Sequence, residues 1–317
     1  MSSQTLPQRA STPDLKQNRM SFGRWVSSVG LRHIVGFVAV LFAAFPIVYV
    51  ISASVSSRNT MTDANNLFAT FTWENYAMLG CNPELAADAN KCAKVQYFWD
   101  WFMNSLGISA VTAVGTVLMG ASAAYAFSRF RFTGRRFGLS ALLVIQMFPQ
   151  MLAFVAILIL MTALGDVVPI LGTGSAVALV AVYLGGALGA NTFLMYGFFN
   201  SIPHSLDEAA KIDGATHAQT YWTIIVPLVI PILAVTALLS FIGTFGEYIL
   251  ASVVLGGGAQ SDWTLPMGLY LLVGDSRAPE LTLFSAGAAI AALPVLLLFL
   301  FLQRYIVSGL TGGAVKG

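Results

Sequence analysis

The residues whose types and spacing are most informative lie in one polar segment between two long apolar runs, at 205–227. It reads Ser-Leu-Asp-Glu-Ala-Ala-Lys-Ile-Asp-Gly over 205–214 and, nine residues later, Ile-Ile-Val-Pro over 224–227. Acidic residues in a first helical turn complement the helix dipole, and small residues on one face permit close approach by a partner. This is the chemistry of non-covalent docking, not of bond breaking. The segment is therefore predicted to bind another protein and to pass movement into this chain.

Two helices are predicted within this insert. Ser205 and Glu208 have the S-x-x-E spacing of a capping box, and Gly214 interrupts the helix after about two turns. Thr216 and Gln219 form a second capping box that starts the helix of the next apolar run. Three residues at i, i+3 and i+4 share one face of the first helix: Leu206, Ala209 and Ala210. The alternative is a solvated connector whose alanines reflect helix propensity alone.

Residue patterns typical of catalysis are missing from the sequence. The predicted spans contain no paired carboxylates, the chain has no plausible Ser-His-Asp set, and no G-x-x-x-x-G-K-[ST] phosphate loop is present. We expect no enzyme activity, no metal site and no cofactor in the chain itself. Glu247, at the end of the fifth apolar run, is the one acidic residue that could serve proton coupling in a secondary carrier. The favoured interpretation is that it makes an interfacial contact with the outer loop.

The elements that position the insert are membrane spans. Hydrophobic residues make up 57% of the chain and charged residues 9%, with a mean hydropathy of +0.76, whereas a soluble domain has about 25% charged residues. Six runs reach the roughly 20 residues needed to cross a bilayer. They lie at about 34–55, 102–128, 137–164, 175–201, 224–245 and 282–302. Since lipid offers no partner to backbone polar groups, the expected fold class is an all-α membrane protein with six transmembrane helices.

The basic residues predict the orientation. Twelve of the 16 lysines and arginines lie in the N-terminal tail, the loop at 129–136, the insert and the C-terminus. The positive-inside rule puts these segments, including both termini, in the cytoplasm. The first run is longer than a secretory signal core and is predicted to be an uncleaved span. Residues 1–30 are predicted to be a disordered tail, and 31–317 a membrane domain with its core at about 100–303.

The insert resembles the EAA loop of importer-type ATP-binding-cassette (ABC) permeases, in which Glu-Ala-Ala is followed by three residues, a glycine, nine residues and Ile-x-Leu-Pro. The matching residues are Glu208, Ala209, Ala210, Gly214, Ile224 and Pro227, with Val226 in place of the leucine. Five other segments look like the smaller, MalG-like permease subunit of maltose/maltodextrin importers: 124–129, 146–149, 213–216, 231–234 and 309–317. The resemblance runs from about residue 34 to the end. It implies the type I importer permease fold, with the first insert helix as a cytoplasmic coupling helix.

This resemblance also implies partners for particular residues. The ATPase-coupling residues would be Ser205, Glu208, Ala209, Ala210, Gly214, Ile224 and Pro227. The tail residues that contact the ATPase subunits would be Gly309, Thr311, Gly312, Gly313 and Lys316. The outer loop that reaches the binding protein would use Gly256, Gly257, Gly258 and Trp263. By composition alone the tail is a frayed terminus and the loop a flexible turn.

Cys81 and Cys92 lie in the first outer loop, with ten residues between them. In an oxidising compartment such a pair forms a disulfide more often than not. A bridge would stabilise the loop by about 3 kcal/mol in the chain-entropy model. The alternative is a reduced pair on an irregular helix. A zinc site is not expected, because all three histidines are assigned to the other side.

The function that this resemblance implies is ATP-driven import of maltose or maltodextrin. The partners implied are a second, MalF-like permease subunit, a dimer of MalK-like ATPase subunits that use ATP and magnesium, and an extracytoplasmic sugar-binding protein. Membrane lipid surrounds the chain, the location is the bacterial inner membrane, and nucleic acid is not expected. Alternatives are import of trehalose or another oligosaccharide, and a stand-alone secondary carrier or channel. Polar residues within the spans either line a sugar path or bond neighbouring helices: Asn104, Gln146, Tyr183, Asn191 and Tyr196.

Overall fold

A computed structural model describes residues 30–57, 67–84, 88–274 and 280–314. Two compact units divide the chain, Met1–Tyr49 and Val50–Gly317. Residues 1–29, which hold nearly all of the predicted N-terminal tail, lie outside the described residues. In the first unit, an apolar helix begins at Leu31 with its side chains almost all exposed.

The second unit is built from helices throughout its described part. In chain order the helices are α1 (Leu31–Ser54, which starts in the first unit), α2 (Glu74–Met78), α3 (Ala89–Val95), α4 (Phe98–Arg129), α5 (Arg135–Gln146), α6 (Gln150–Val167), α7 (Ala176–Ser201), α8 (Ser205–Ile212), α9 (His217–Phe245), α10 (Ile249–Leu255), α11 (Leu265–Gly274) and α12 (Leu281–Ala314). Short 3₁₀ turns occupy Pro169–Leu171 and Gln260–Asp262. Thr220–Ile225 within α9 is π-helical.

Four of the described helices are each long and apolar enough to cross a membrane: α1, α4, α9 and α12. The two other predicted spans are bent. The run at 137–164 breaks between α5 and α6 by 102°, and α7 bends by 48° between Ala187 and Gly189. Pro149 explains the sharper break, because proline has no N–H to donate and disfavours helical backbone in the residue before it. If each bent pair of helices is counted as one membrane crossing, the described residues contain six spans.

Helix α4 is central, since it packs against both α7 and α9, and α9 in turn packs against α12. At the N-terminal end of α4 the core contains fully buried Phe98 and Trp101, with Leu272 of α11. At its C-terminal end the core contains Tyr125 of α4 and Phe199 of α7. Small residues allow the close contacts between helices: a Cβ added to Gly115 would meet Leu184 at 2.7 Å. The core at the C-terminal end of α4 also contains Ile202 and Tyr221, which lie on either side of α8 in the chain.

Candidate coupling site

The first insert helix forms where it was predicted, but it begins without the predicted capping box. Ser205 is the first residue of α8, His204 precedes it in helical conformation (φ −64°, ψ −22°), and no side chain caps the helix. The N–H of Glu208 donates to the His204 carbonyl at 3.1 Å. A capping residue needs non-helical backbone angles, and here the chain is already helical one residue before the serine. The prediction that Ser205 and Glu208 cap the helix is therefore wrong.

The end of α8 and the start of α9 follow the sequence pattern. Gly214 has φ +80°, a left-handed conformation that favours glycine, and its N–H donates to the Lys211 carbonyl at 3.1 Å. Thr216 and Gln219 form the predicted capping box: the Thr216 N–H donates to the Gln219 side chain at 2.8 Å, and the Gln219 N–H donates to the Thr216 hydroxyl at 3.3 Å. The corner between α8 and α9 is thus formed by a glycine turn and a reciprocal cap.

One face of α8 is fixed to the chain and the other is free. Ala210 is only 4% exposed, so its methyl group packs inside this chain. Glu208 and Ala209 are exposed, and Ile212 is 87% exposed. The prediction that Leu206, Ala209 and Ala210 together form a partner-facing surface is therefore wrong for Ala210, because tertiary packing buries it. The surface open to a partner consists of Glu208, Ala209 and Ile212, with Leu206 half-exposed at its edge.

An ion pair fixes the inner face of α8. Arg129, the last residue of α4, lies with its Nε 3.0 Å from the Asp207 carboxylate, and the two side chains are 4% and 13% exposed. The Arg129 guanidinium donates to the carbonyl of Ile202, the residue just after α7, at 3.2 Å. The ends of α4 and α7 are therefore joined to α8 by one side chain.

An aromatic cluster lies at this end of the bundle. The Tyr125 ring is 4.8 Å from Tyr221 and 6.4 Å from Phe199, in edge-on or tilted arrangements that aromatic rings favour. Tyr221 belongs to the π-helical stretch of α9, which ends just before Pro227. Of the two predicted coupling residues on α9, Ile224 is half-buried against this core and Pro227 is exposed. Ile224 thus packs inside the chain and does not extend the free face of α8.

The predicted ATPase-contacting tail continues α12, whose helix extends to Ala314. The backbone of Gly309, Thr311, Gly312 and Gly313 lies in that helix, and Lys316 lies outside the described residues. The role of the tail stays a prediction.

The predicted binding-protein loop is held down at its second half. Trp101 donates its indole N–H to the Gln260 carbonyl at 2.6 Å, and Asn104 donates to the carbonyls of Ser261 and Trp263 at 2.8 and 3.1 Å. The Trp263 ring packs partly buried against two apolar clusters.

The first half of this loop carries the three glycines. Gly256 and Gly257 are exposed, and Gly258 approaches the backbone of Gly174 closely. The role of Gly256, Gly257, Gly258 and Trp263 in contacting a binding protein stays a prediction.

Cys81 and Cys92 are joined by a disulfide, with their Cα atoms 5.7 Å apart. The bridge ties the loop after α2 to α3, and Cys92 is fully buried. Lys91 and Lys94 of α3 lie 3.8 and 3.7 Å from the buried Glu280. These contacts attach the cysteine loop to the start of α12.

A cavity of about 980 Å³ lies between α5, α6, α7 and α9. Three of the polar span residues line it: Gln146, Tyr183 and Asn191. Gln146 donates to the Gly186 carbonyl at 3.1 Å and Asn191 to the Ala187 carbonyl at 2.9 Å. The two remaining residues bond inside the chain elsewhere, Asn104 to the outer loop and Tyr196 as acceptor from Arg135 at 3.1 Å.

Glu247 also lines this cavity, and its carboxylate accepts three hydrogen bonds. It accepts from the backbone N–H groups of Leu250 and Ala251 at 2.7 and 2.9 Å and from the Tyr183 hydroxyl at 2.8 Å. These bonds fix the start of α10 to α7. The arrangement supports the interpretation of Glu247 as a structural contact near the outer loop.

Arg129 is the residue of the site that the sequence did not single out. Its charge contributed only to the prediction of orientation, although it lies in one of the segments that carry the resemblance. Its position at the boundary of an apolar run and a polar loop gives no hint of a partner 78 residues away, and only the packed bundle reveals Asp207 beside it.

Comparison with known proteins identifies the family. The family described as binding-protein-dependent transport system inner membrane component matches residues 116–312. The galactooligosaccharides transport system permease protein GanQ of Bacillus subtilis is 37% identical over 284 residues, which cover 90% of this chain and 94% of that protein. The maltose/maltodextrin transport system permease protein MalG of Photorhabdus laumondii is 35% identical over 292 residues, which cover 90% of this chain and 95% of that protein.

A solved structure shares the fold. A bacterial ABC transporter involved in the import of the acidic polysaccharide alginate superposes with a TM-score of 0.69 at 23% identity, covering 90% of this chain and 98% of that one. The chain is thus a multi-pass membrane permease with the type I ABC importer fold. It belongs to the binding-protein-dependent transport system inner membrane component family.

Proposed function

We propose that this chain is a permease subunit that imports maltose or maltodextrin, powered by separate ATPase subunits. The observation that carries the proposal is α8, a short helix anchored on its inner face and free at Glu208, Ala209 and Ile212. A free face with one acidic, one small and one large apolar residue suits a groove in a partner protein. The sugar follows from the maltose/maltodextrin relative and from the motifs over the whole membrane domain.

The complete complex would contain a second, MalF-like permease, a dimer of MalK-like ATPases and an extracytoplasmic binding protein. ATP and magnesium would be used by the ATPase dimer. Both termini and α8 would face the cytoplasm, as the positive-inside rule requires. The cavity beside Gln146, Tyr183 and Asn191 would form this chain's share of the sugar path, since it presents polar groups inside an otherwise apolar lining.

The test is uptake of labelled maltotriose into proteoliposomes that contain the assembled complex. We expect uptake to require ATP, the ATPase subunits and the binding protein together, and not to respond to an ion gradient. Uptake driven by a gradient without the ATPase would overturn the proposal. As a control, a non-hydrolysable ATP analogue should leave only background counts.

A second candidate substrate is a galactooligosaccharide, which the GanQ relative favours. Competition by unlabelled sugars in the same vesicles separates the two. If galactooligosaccharides compete and maltotriose does not, the maltose assignment is wrong while the importer function stands.

A further inference from the structure

The ion pair between Arg129 and Asp207 is largely buried. The side chains are 4% and 13% exposed, and the charged atoms lie 3.0 Å apart. Attraction between charges is far stronger in such surroundings than at an open surface, where a pair contributes little. Removing one partner of a buried pair leaves an uncompensated charge, which is more damaging than removing both.

Few other attachments hold α8 to the bundle. It has eight residues, carries no side-chain cap at its start and ends at a glycine with φ +80°. Ala210 is its one buried side chain. A helix so short is marginally stable by itself, so its direction depends on tertiary contacts. Arg129 adds an ion pair to these contacts and also holds the end of α7 through the Ile202 carbonyl.

We propose that Arg129 is a positioning residue for energy coupling: its buried pair with Asp207 fixes α8 to the end of α4, so that a push on α8 moves α4 and α7 together. This inference rests on the proposed function of α8 as the helix that the ATPase engages. Without the pair, α8 reorients at its two ends, and its movement is not transmitted to α4 and α7. ATP is then hydrolysed with less sugar moved.

The experiment measures sugar imported per ATP hydrolysed by the reconstituted complex. The variants are Arg129→Gln, Asp207→Asn and the double variant. The matched control is Arg131→Gln, which removes the same charge from an exposed side chain two residues away. Only complexes isolated with all subunits are compared, and if Arg129→Gln fails to assemble, Asp207→Asn, which removes the other charge of the pair, takes its place with the same expected loss.

Arg129→Gln should lower the sugar-to-ATP ratio by at least about tenfold, and the double variant should stay about as low as the single ones, because the pair that fixes α8 is absent from all three. Arg131→Gln should match wild type. Equal ratios in wild type and Arg129→Gln would overturn the inference. So would a double variant that regains the wild-type ratio, or one much worse than both single variants. A wild-type complex that moves no sugar with ATP would instead refute the proposed function.

Discussion

Gly214 gives the sharpest test of the corner between α8 and α9. Its φ is +80°, and a Cβ added there would meet no atom within 4 Å. A substitution therefore acts only through the backbone, with no steric clash to confuse the result. Alanine in left-handed conformation costs roughly 1–2 kcal/mol, a factor of about 5–30 in the population of the native corner.

Proline at this position should be much worse than alanine. Its ring fixes φ near about −65°, which is incompatible with the native turn, and it removes an N–H. That N–H donates to the Lys211 carbonyl at 3.1 Å. We expect Gly214→Pro to abolish ATP-driven uptake while the protein still inserts, and Gly214→Ala to reduce uptake severalfold.

The matched control is Gly134, whose φ is +91° and which also has no atom within 4 Å of an added Cβ. Gly134→Ala imposes the same kind of backbone strain in the loop between α4 and α5, outside α8 and its corner with α9. Initial uptake rates are measured in proteoliposomes with equal amounts of membrane-inserted protein. Normal uptake by Gly214→Pro would refute the reasoning. Equal losses of uptake in Gly214→Ala and Gly134→Ala would mean that the effect of backbone strain is not specific to the corner between α8 and α9.

Three further outcomes follow from the outer half of the bundle. Replacing Cys81 and Cys92 by serine should destabilise the purified protein by about 3 kcal/mol, seen as a lower unfolding midpoint in detergent, and two free thiols in unreduced wild-type protein would contradict this. Gly268→Ala places a methyl group against the ring of fully buried Trp101, so overpacking should cost about 1–3 kcal/mol in the same melting assay, and an unchanged midpoint would argue against that contact. Glu247→Gln should keep ATP-driven uptake while lowering the unfolding midpoint, because it weakens bonds that position α10. Complete loss of uptake in that variant at normal stability would indicate a proton-transfer role instead.

The residues of the insert show which features local sequence could predict. The capping box of Thr216 and Gln219 and the turn at Gly214 depend on contacts within a few residues, and both form as predicted. The box at Ser205 fails although its residue types are right, because the preceding residue is already helical. A spacing rule identifies residues able to cap, and the backbone conformation of the neighbouring residues decides whether they do.

The membrane spans also show some features that the sequence predicts and others that only the structure reveals. Apolar length alone located all six runs, since the thickness of the bilayer requires about 20 residues for each crossing. It did not reveal the 102° break between α5 and α6, although Pro149 was visible in the sequence. Proline is tolerated within α9 and α12, where Pro231 and Pro294 lie inside continuous helices. Its effect therefore depends on the packing around it.

By itself, the sequence determined the class of this protein and the approximate spans, and it predicted the segment that would meet a partner, because composition and short-range spacing carry that information. Tertiary structure alone decided which face of α8 is free, that Trp263 packs inward, and that Arg129 pairs with Asp207. The physical reason is that burial and ion pairing depend on which distant segments the packed helices bring together. Neither composition nor local periodicity encodes those distances in readable form.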